Sequence, residues 1–277
     1  MDTVLTTPVI SGPGIYRGLL NETYHADRSA VSSSQLKVLA VQSPAHFKAS
    51  LAAKHEPTDA LLFGSAFHCA LLEPDEFAER YIVMPDLNAR TKDGRAQIAA
   101  LEEQANGKLL ISREWSERLD GMVASAHKHK AVREMLSHGE AELAFVWEDS
   151  ETGIRCKIKT DWYQSGIAIW DAKSAADASR DGFSRACGKY SYHLSAAMYR
   201  DGVAAHTGER LPWRFVAVEK EYPYACAVYT ASEAFLRKGQ REFRKALEIL
   251  QACRNSGVYP GYQPNHEVEE IDLPAWM

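Results

Sequence analysis

The stretch IRCKIKTDWYQSGIAIWDAK, residues 154–173, constrains the fold more than any other part of the sequence. Basic residues alternate with apolar or small ones over residues 155–160, the period of two that is typical of a half-buried strand. Residues 164–166, Gln-Ser-Gly, have the composition of a turn, and residues 167–170 form a short apolar run. The sequence therefore predicts two strands joined by a tight turn.

The charged residues of this hairpin suggest a chemistry. Asp161 ends the first predicted strand, Asp171 follows the second, and Lys173 lies two residues further on. Because residues i and i+2 of a strand point to the same face, Asp171 and Lys173 should project together, with the Ala172 carbonyl between them. An antiparallel partner strand can bring Asp161 alongside. Two carboxylates and a carbonyl suit Mg²⁺ or Mn²⁺.

A lysine beside these oxygen ligands can orient or deprotonate a water held against a phosphodiester, as a metal-dependent nuclease requires. The D-x9-D-x-K spacing has a second interpretation, since surface hairpins also carry Asp and Lys at i and i+2 as solvated charges. The apolar run before Asp171 favours a carboxylate that leaves a buried strand.

Composition sets wide bounds. The 277 residues are 45% hydrophobic and 25% charged, as in ordinary soluble globular proteins. No run approaches the roughly 18 apolar residues of a membrane span, and the first residues lack the features of a signal peptide, so we expect a cytoplasmic protein without a membrane partner. A net charge of −5 neither indicates nor excludes a nucleic-acid binder.

The five cysteines are far apart and contain no C-x-x-C pair. This spacing predicts no zinc site, no disulfide framework and no iron–sulfur cluster. We interpret the cysteines as mostly buried small hydrophobic residues.

The order of predicted elements gives the fold class. Residues 1–30 are predicted to be irregular, and residues 31–277 a single domain with a helical part over about 31–136 and a core sheet with helices over about 137–277. In that core, strands are predicted at 140–148, in the hairpin, at 213–219 and at 225–230, and helices at 182–202 and 232–255. The helical part includes a long helix predicted at 112–136. This order predicts an α/β core with a helical N-terminal region.

Two segments of the helical part carry candidate functional residues. The apolar helix predicted at 58–74 contains His68, either a satisfied core histidine or a site residue. Residues 84–97 are predicted to be a polar loop in which Arg90, Lys92 and Arg95 are solvated charges or phosphate contacts.

Taken together, these features resemble a known superfamily. The segments ALLFGSAFHCALLEP, ARTKDGR, WEDSETGIRCKIKTDW, WDAKSAADASR and YSYHLSAAMYRDG carry the resemblance, which covers roughly residues 20–277. They are similar to the PD-(D/E)xK nucleases, and among these to the RecE-type exodeoxyribonucleases (exonuclease VIII), with lambda exonuclease and RecB-type nuclease domains as more distant relatives. The resemblance implies a restriction-endonuclease-like α/β core with a mixed central sheet flanked by helices.

The resemblance also implies roles for individual residues. Asp161 and Asp171 match the metal-binding carboxylates, the Ala172 carbonyl a further ligand, and Lys173 the catalytic lysine. His68 matches the histidine of G-x-x-x-H at the metal site, which makes it a metal and catalytic residue. On the first core strand, Glu142 matches an acidic residue that assists metal binding.

One position departs from the pattern. Where the family helix usually carries Q-x-x-x-Y, Tyr199 matches the tyrosine but Ser195 stands at the glutamine position. Serine lacks the amide and its reach toward DNA or metal-bound water, and His193 can compensate or the contact is lost.

The function that the resemblance implies is a Mg²⁺-dependent exonuclease, with Mn²⁺ as an alternative ion, that degrades linear double-stranded DNA 5′ to 3′. It would leave 3′ single-stranded overhangs for an annealing protein, and it would work as a ring-shaped homo-oligomer. The expected DNA contacts are Ser195 and Tyr199 together with the basic residues Arg90, Lys92, Arg95, Arg155, Lys157, Lys159, Arg180, Arg185 and Lys189. The alternatives are a structure-specific or single-strand nuclease of DNA repair and an inactive DNA-end-binding protein.

Overall fold

The computed structural model describes residues 9–53, 57–87, 90–263, 265 and 267–273. Its helices are α1 (Asn21–Ala26), α2 (Ser33–Val41), α3 (Pro44–Ala52), α4 (Asp59–Leu72), α5 (Pro74–Arg80), α6 (Lys92–Gln104), α7 (Arg113–Lys128), α8 (Lys130–Leu136), α9 (Arg180–Lys189), α10 (Tyr192–Thr207) and α11 (Glu233–Ser256). Its strands are β1 (Gly14–Tyr16), β2 (Tyr81–Val83), β3 (Leu109–Ile111), β4 (Glu140–Glu148), β5 (Arg155–Gln164), β6 (Ala168–Ala175), β7 (Trp213–Glu219) and β8 (Cys226–Thr230).

Six strands form one mixed sheet in the order β1-β4-β5-β6-β7-β8. Strands β6 and β7 run parallel, and the other neighbours run antiparallel. The β2 and β3 strands form a separate parallel pair that the sequence analysis did not predict. The mixed sheet with helices around it confirms the predicted α/β class.

Side chains of the sheet alternate between two cores. In β7, Phe215 and Ala217 pack in one core with residues of α2, α10 and α11, whereas Val216 and Val218 pack in the other with residues of α4 and α7. This alternation is the period of two expected of a strand covered on both faces. The sheet is therefore buried between two helical layers, and the β5–β6 hairpin lies in its middle.

The first thirty residues are more regular than predicted. Strand β1 pairs antiparallel with β4, and the short helix α1 follows it. The irregular segment predicted for residues 1–30 is therefore wrong at these two elements, and residues 1–8 lie outside the described residues. The strand was not predicted because it has only three residues and lies in a segment rich in turn formers, namely Pro8, Gly12, Pro13 and Gly14.

Two long predicted helices are each broken in the structure. The helix predicted at 112–136 divides at His129, whose ring nitrogen Nδ1 accepts the Ala131 N–H and so begins α8. The helix predicted at 182–202 divides at Tyr190 and Ser191, because Ser191 is left-handed with φ 50°. The loop predicted to reach residue 97 ends earlier, since α6 begins at Lys92 behind the Thr91 cap. Among the described helices, none has the length and apolar character needed to cross a bilayer.

Candidate active site

The two aspartates of the hairpin lie opposite each other where β5 and β6 separate. The last paired positions on this side are Trp162 and Trp170, and one step further in the same register Asp161 faces Asp171. There the backbone ladder is replaced by a side-chain contact, since the Ala172 N–H donates to Asp161 Oδ2 at 2.8 Å. The end of strand pairing thus places both carboxylates and the Ala172 peptide at one opening.

Lys173 completes this group. Its ammonium contacts Asp171 Oδ1 and lies 3.2 Å from the Ala172 carbonyl oxygen and 3.9 Å from Asp161 Oδ2. Burial alone would lower the pKa of Lys173, but the carboxylates of Asp171 and Asp161 outweigh burial and raise it. Beside these two carboxylates the side chain is held as a cation, which suits it to orienting a water or a phosphate.

His68 approaches from helix α4. The helix begins after Thr58, whose hydroxyl accepts the Leu61 N–H, and it ends before Pro74. His68 Nε2 lies 2.7 Å from the Ala172 carbonyl oxygen and 3.6 Å from Asp161 Oδ2. His68 therefore has a hydrogen-bond partner, as a core histidine would, and it also lies at the site. Both interpretations of His68 agree with the structure.

Glu142 lies across from Asp161 on the neighbouring strand. The β4–β5 register pairs Ala141 with Trp162 and Leu143 with Thr160, and the intervening position sets Glu142 opposite Asp161 without a ladder pair. Glu142 is left-handed at φ 53°, a conformation that costs a non-glycine residue about 1–3 kcal/mol and often marks a functional position.

Lys159 neutralises this glutamate. The Lys159 ammonium lies 2.7 Å from Glu142 Oε2 and donates to Asn21 Oδ1 at 2.9 Å. The side chain is 9% exposed, so it lies inside the site. Lys159, which was predicted as a DNA contact, contacts a candidate metal ligand, and its contact with DNA stays a prediction.

These residues form a donor set that could hold a divalent metal. One ligand atom each from His68, Glu142 and Asp161 lies within 4.8 Å of the others, and Asp171 is turned to Lys173 beside them. Burial raises the pKa of Asp161 to about 7, a shift that His68 and Lys173 oppose and Asp171 reinforces. A buried carboxylate without full compensation is what a cation would stabilise. In the contact described above, His68 Nε2–H donates to the Ala172 carbonyl oxygen, so to ligate a metal His68 would give up this hydrogen bond and carry its ring proton on Nδ1.

A cavity of about 390 Å³ opens beside this donor set. Its walls come from α1, α4, α5, β2, β4, β5 and α10, and its lining residues are Asn21, Tyr24, His25, Ser65, His68, Cys69, Glu73, Arg80, Tyr81, Glu142, Lys159, Asp161 and Tyr199. The α1 residues were missed because their segment was predicted to be irregular. Helix α1 therefore contributes a wall of the candidate site.

Lys157 does not fit the predicted role in DNA binding. Its side chain is 4% exposed, and its ammonium donates to the main-chain oxygens of Tyr24 and Asp27, the latter at 2.6 Å, and to Asp27 Oδ2 at 3.3 Å. These three acceptors use all three donors of an ammonium. The prediction for Lys157 is corrected: it fastens α1 to β5.

Three more basic residues predicted to bind DNA lie on the surface near α6. Arg90, Lys92 and Arg95 are exposed around the start of α6, where Arg95 donates to the Arg90 carbonyl oxygen at 3.0 Å. They are absent from the lining of the site cavity, and their contact with DNA stays a prediction.

Helix α10 presents Tyr199 but not His193 to the site. The Tyr199 ring lines the cavity and packs edge-on against Trp213, with 5.3 Å between ring centroids. Burial raises the pKa of Tyr199 well above its usual value, so the phenol stays neutral. His193 is buried, and its Nε2 lies 2.6 Å from Glu242 Oε2 on α11. His193 therefore cannot replace the missing glutamine, and half-buried Ser195 retains its predicted position on α10.

Lys37 is a further cation near the site that the sequence analysis missed. Its Nζ lies 5.4 Å from the centroid of the Tyr192 ring, the same distance as Lys173 Nζ. Burial lowers the pKa of Lys37 to about 8, while the charge of Asp171 raises it and that of Lys173 lowers it. One signal was available, because Lys37 is the only charged residue of α2.

Comparisons with known proteins agree with this architecture. The model of a family described as PDDEXK-like domain of unknown function (DUF3799) matches residues 32–271. No curated protein matches the chain.

Two solved structures are similar to the chain. The crystal structure of a protein described as "Putative exonuclease" from Eubacterium rectale has a TM-score of 0.65 and 18% identity, covering 94% of this chain and 97% of that one. LHK-Exo in complex with dAMP has a TM-score of 0.31 and 11% identity, covering 83% of this chain and 94% of that one. At this identity the first structure shows a shared fold, and the second adds no argument.

Proposed function

Because the chain belongs to the family of PDDEXK-like domains designated DUF3799, whose name supports a nuclease, we propose that it is a Mg²⁺-dependent exodeoxyribonuclease. Its substrate would be linear double-stranded DNA, degraded 5′ to 3′ to leave 3′ single-stranded overhangs. One observation carries the proposal: two carboxylates, a carbonyl, an imidazole and a lysine converge where strands β5 and β6 separate.

The residues fit a hard divalent cation. Asp161, Asp171 and the Ala172 carbonyl would hold it, with His68 and Glu142 as further donors. When bound, the ion polarises a phosphoryl oxygen and lowers the pKa of a coordinated water. Carboxylate and carbonyl oxygens are the donors that Mg²⁺ and Mn²⁺ prefer.

The chain's own groups would orient the reaction. Lys173, kept protonated by Asp171 and Asp161, would donate to the attacking water or to a phosphate oxygen and stabilise negative charge there. Tyr199 stays neutral and can donate its hydroxyl proton in a hydrogen bond inside the cavity. Asp161 Oδ2 accepts the Ala172 N–H, a hydrogen bond that fixes the orientation of this carboxylate.

Three finer parts of the proposal rest on the sequence resemblance to RecE-type enzymes. These are the 5′-to-3′ direction, a ring-shaped homo-oligomer around DNA, and delivery of the overhang to a single-strand annealing protein.

A second candidate is a structure-specific or single-strand nuclease with the same site. It is favoured by the loss of the predicted duplex-binding face on β5, since Lys157 is buried and Lys159 is paired with Glu142. Such an enzyme would need less basic surface for a duplex.

End-labelled linear duplex DNA separates these candidates. Early release of the 5′ label with Mg²⁺, and none with a chelator, supports the proposal. Early release of the 3′ label, cleavage of closed circles, or preference for flaps or single strands supports the second candidate. Lys173→Ala should abolish release, whereas Lys130→Ala, at a lysine side chain that is 82% exposed on α8, should not. Binding of DNA ends without cleavage in any divalent metal would indicate an inactive end-binding protein.

A further inference from the structure

A row of aromatic and cationic side chains leads from Lys173 to the protein surface. The ammonium of Lys173 lies 5.4 Å from the Tyr192 ring centroid. Tyr192 stacks on Tyr190 at 5.7 Å between centroids and 28° between ring planes. Lys189 Nζ then lies 5.2 Å from the Tyr190 ring, which is 51% exposed. With Lys37 over Tyr192, these five residues are called the tyrosine ladder below.

The break between α9 and α10 creates this arrangement. In one continuous helix, Tyr190 and Tyr192 would point about 200° apart, because residues at i and i+2 do not face each other. The left-handed backbone of Ser191 interrupts the helix between Tyr190 and Tyr192, and this lets the two rings stack. The stack is therefore built by a residue in a conformation that serine seldom adopts.

The ladder borders a second cleft of about 380 Å³, distinct from the cavity lined by His68. The cleft shares Lys173 with the catalytic group, and its lining residues are Lys173, Ser174, Ala175, Ala176, Asp177, Gly182, Phe183, Arg185, Ala186, Lys189, Tyr190, Tyr192 and Lys220. Four of these are cationic and one, Asp177, is a carboxylate, which lies 3.9 Å from Arg185. Within the described part of the chain, Lys189 and Lys220 have no ion pair.

We propose that this cleft binds single-stranded DNA next to the scissile phosphate, with a base against the exposed part of the Tyr190 ring and phosphates against Lys189 and Lys220. This inference rests on the proposed nuclease function. An exposed ring beside cations suits an unpaired base, because every base has a face that can stack, and a positive groove tracks the phosphates. A paired base inside a duplex cannot offer that face. The volume falls in the range of small-ligand pockets and suits a nucleotide.

Tyr190 is the residue to change. Tyr192 also packs on Phe183 and Phe215, with centroids 6.2 and 6.1 Å away, so its replacement would disturb the core. Tyr190 stands outside that core. Tyr222 is a matched control, since it is a tyrosine that is 86% exposed and does not line the cleft.

The test is fluorescence anisotropy of a short fluorescein-labelled oligothymidine in a chelator, where no cleavage interferes. Tyr190→Ala should weaken binding about tenfold, the loss expected of one base stack. Tyr190→Phe, which keeps the ring, and Tyr222→Ala should both bind like the wild type. Lys189→Ala with Lys220→Ala should reduce the dependence of log affinity on log salt concentration by about 0.7 for each lysine.

Equal affinity of Tyr190→Ala and the wild type would overturn the proposal, and so would an equal loss of affinity for a labelled DNA hairpin duplex. Nucleotide release from linear duplex with Mg²⁺, measured on the same proteins, separates the two claims. If the wild type binds through Tyr190 but releases nothing, the nuclease function fails and the cleft stands. If it releases nucleotides and Tyr190→Ala binds normally, the cleft fails and the nuclease stands.

Discussion

Replacing Lys157 by methionine tests whether this lysine stabilises the fold or binds DNA. Methionine keeps an apolar stem but removes the ammonium that donates to Tyr24 and Asp27. Removing one partner of a buried ion pair costs about 3–5 kcal/mol. Burial lowers the pKa of Lys157 more than Asp27 raises it, so the ammonium is incompletely compensated and the lower end of this range applies. We expect the free energy of unfolding to fall by about 3 kcal/mol.

Unfolding followed by circular dichroism measures this loss, which corresponds to about 6 °C in the melting temperature of a chain of this length. Lys130→Met is the control, because its exposed side chain should change stability by less than about 0.5 kcal/mol. DNA affinity is measured on both variants at several salt concentrations. The reasoning is refuted if Lys157→Met unfolds like the wild type while the salt dependence of its DNA affinity falls by about one phosphate contact.

Three further predictions follow from charge and packing. With the pKa of Asp161 raised to about 7, its carboxylate is protonated below that pH, so Mg²⁺ affinity measured by calorimetry should fall as pH drops from 8 to 6; constant affinity would contradict this. With the pKa of Lys37 lowered to about 8, its charge is lost as pH rises above 8, so oligothymidine affinity should decline there in the wild type but less in Lys37→Arg. A Cβ on Gly239 would lie 1.9 Å from the His193 carbonyl oxygen, so Gly239→Ala should destabilise by about 1–3 kcal/mol, whereas Gly188→Ala, with open space, should stabilise by about 0.5 kcal/mol in the same denaturation assay.

The hairpin could be predicted because its signals are local. Alternation over β5 and the apolar run of β6 placed Asp161, Asp171 and Lys173 on adjacent strands before any tertiary contact was known. Strand β7 was predicted at its observed bounds for the same reason, since its apolar run is short and bounded by turn residues. The pattern that predicts each of these strands lies within its own residues, so no tertiary contact was needed to identify it.

The remaining features depend on contacts that a pattern does not encode. Lys157 lies on the alternating face that predicts exposure, but α1 covers that face and buries it. Lys37 reaches the site only because α2 packs against α10, and Tyr190 joins Tyr192 only because Ser191 breaks a helix that periodicity would continue. In each case a distant segment or a single backbone conformation overrides the local signal.

Nucleotide release from linear duplex DNA is the most direct test of the candidate active site. The wild type and Lys173→Ala are compared with Mg²⁺ and with a chelator, after both are shown to fold alike by circular dichroism. We predict release by the wild type with Mg²⁺ only, and a loss of at least about 100-fold in Lys173→Ala, the scale for removing one stabilising donor from an active site. Release that persists in the chelator, or that is unchanged in Lys173→Ala, would contradict the assignment of the β5–β6 hairpin as a metal-dependent nuclease centre.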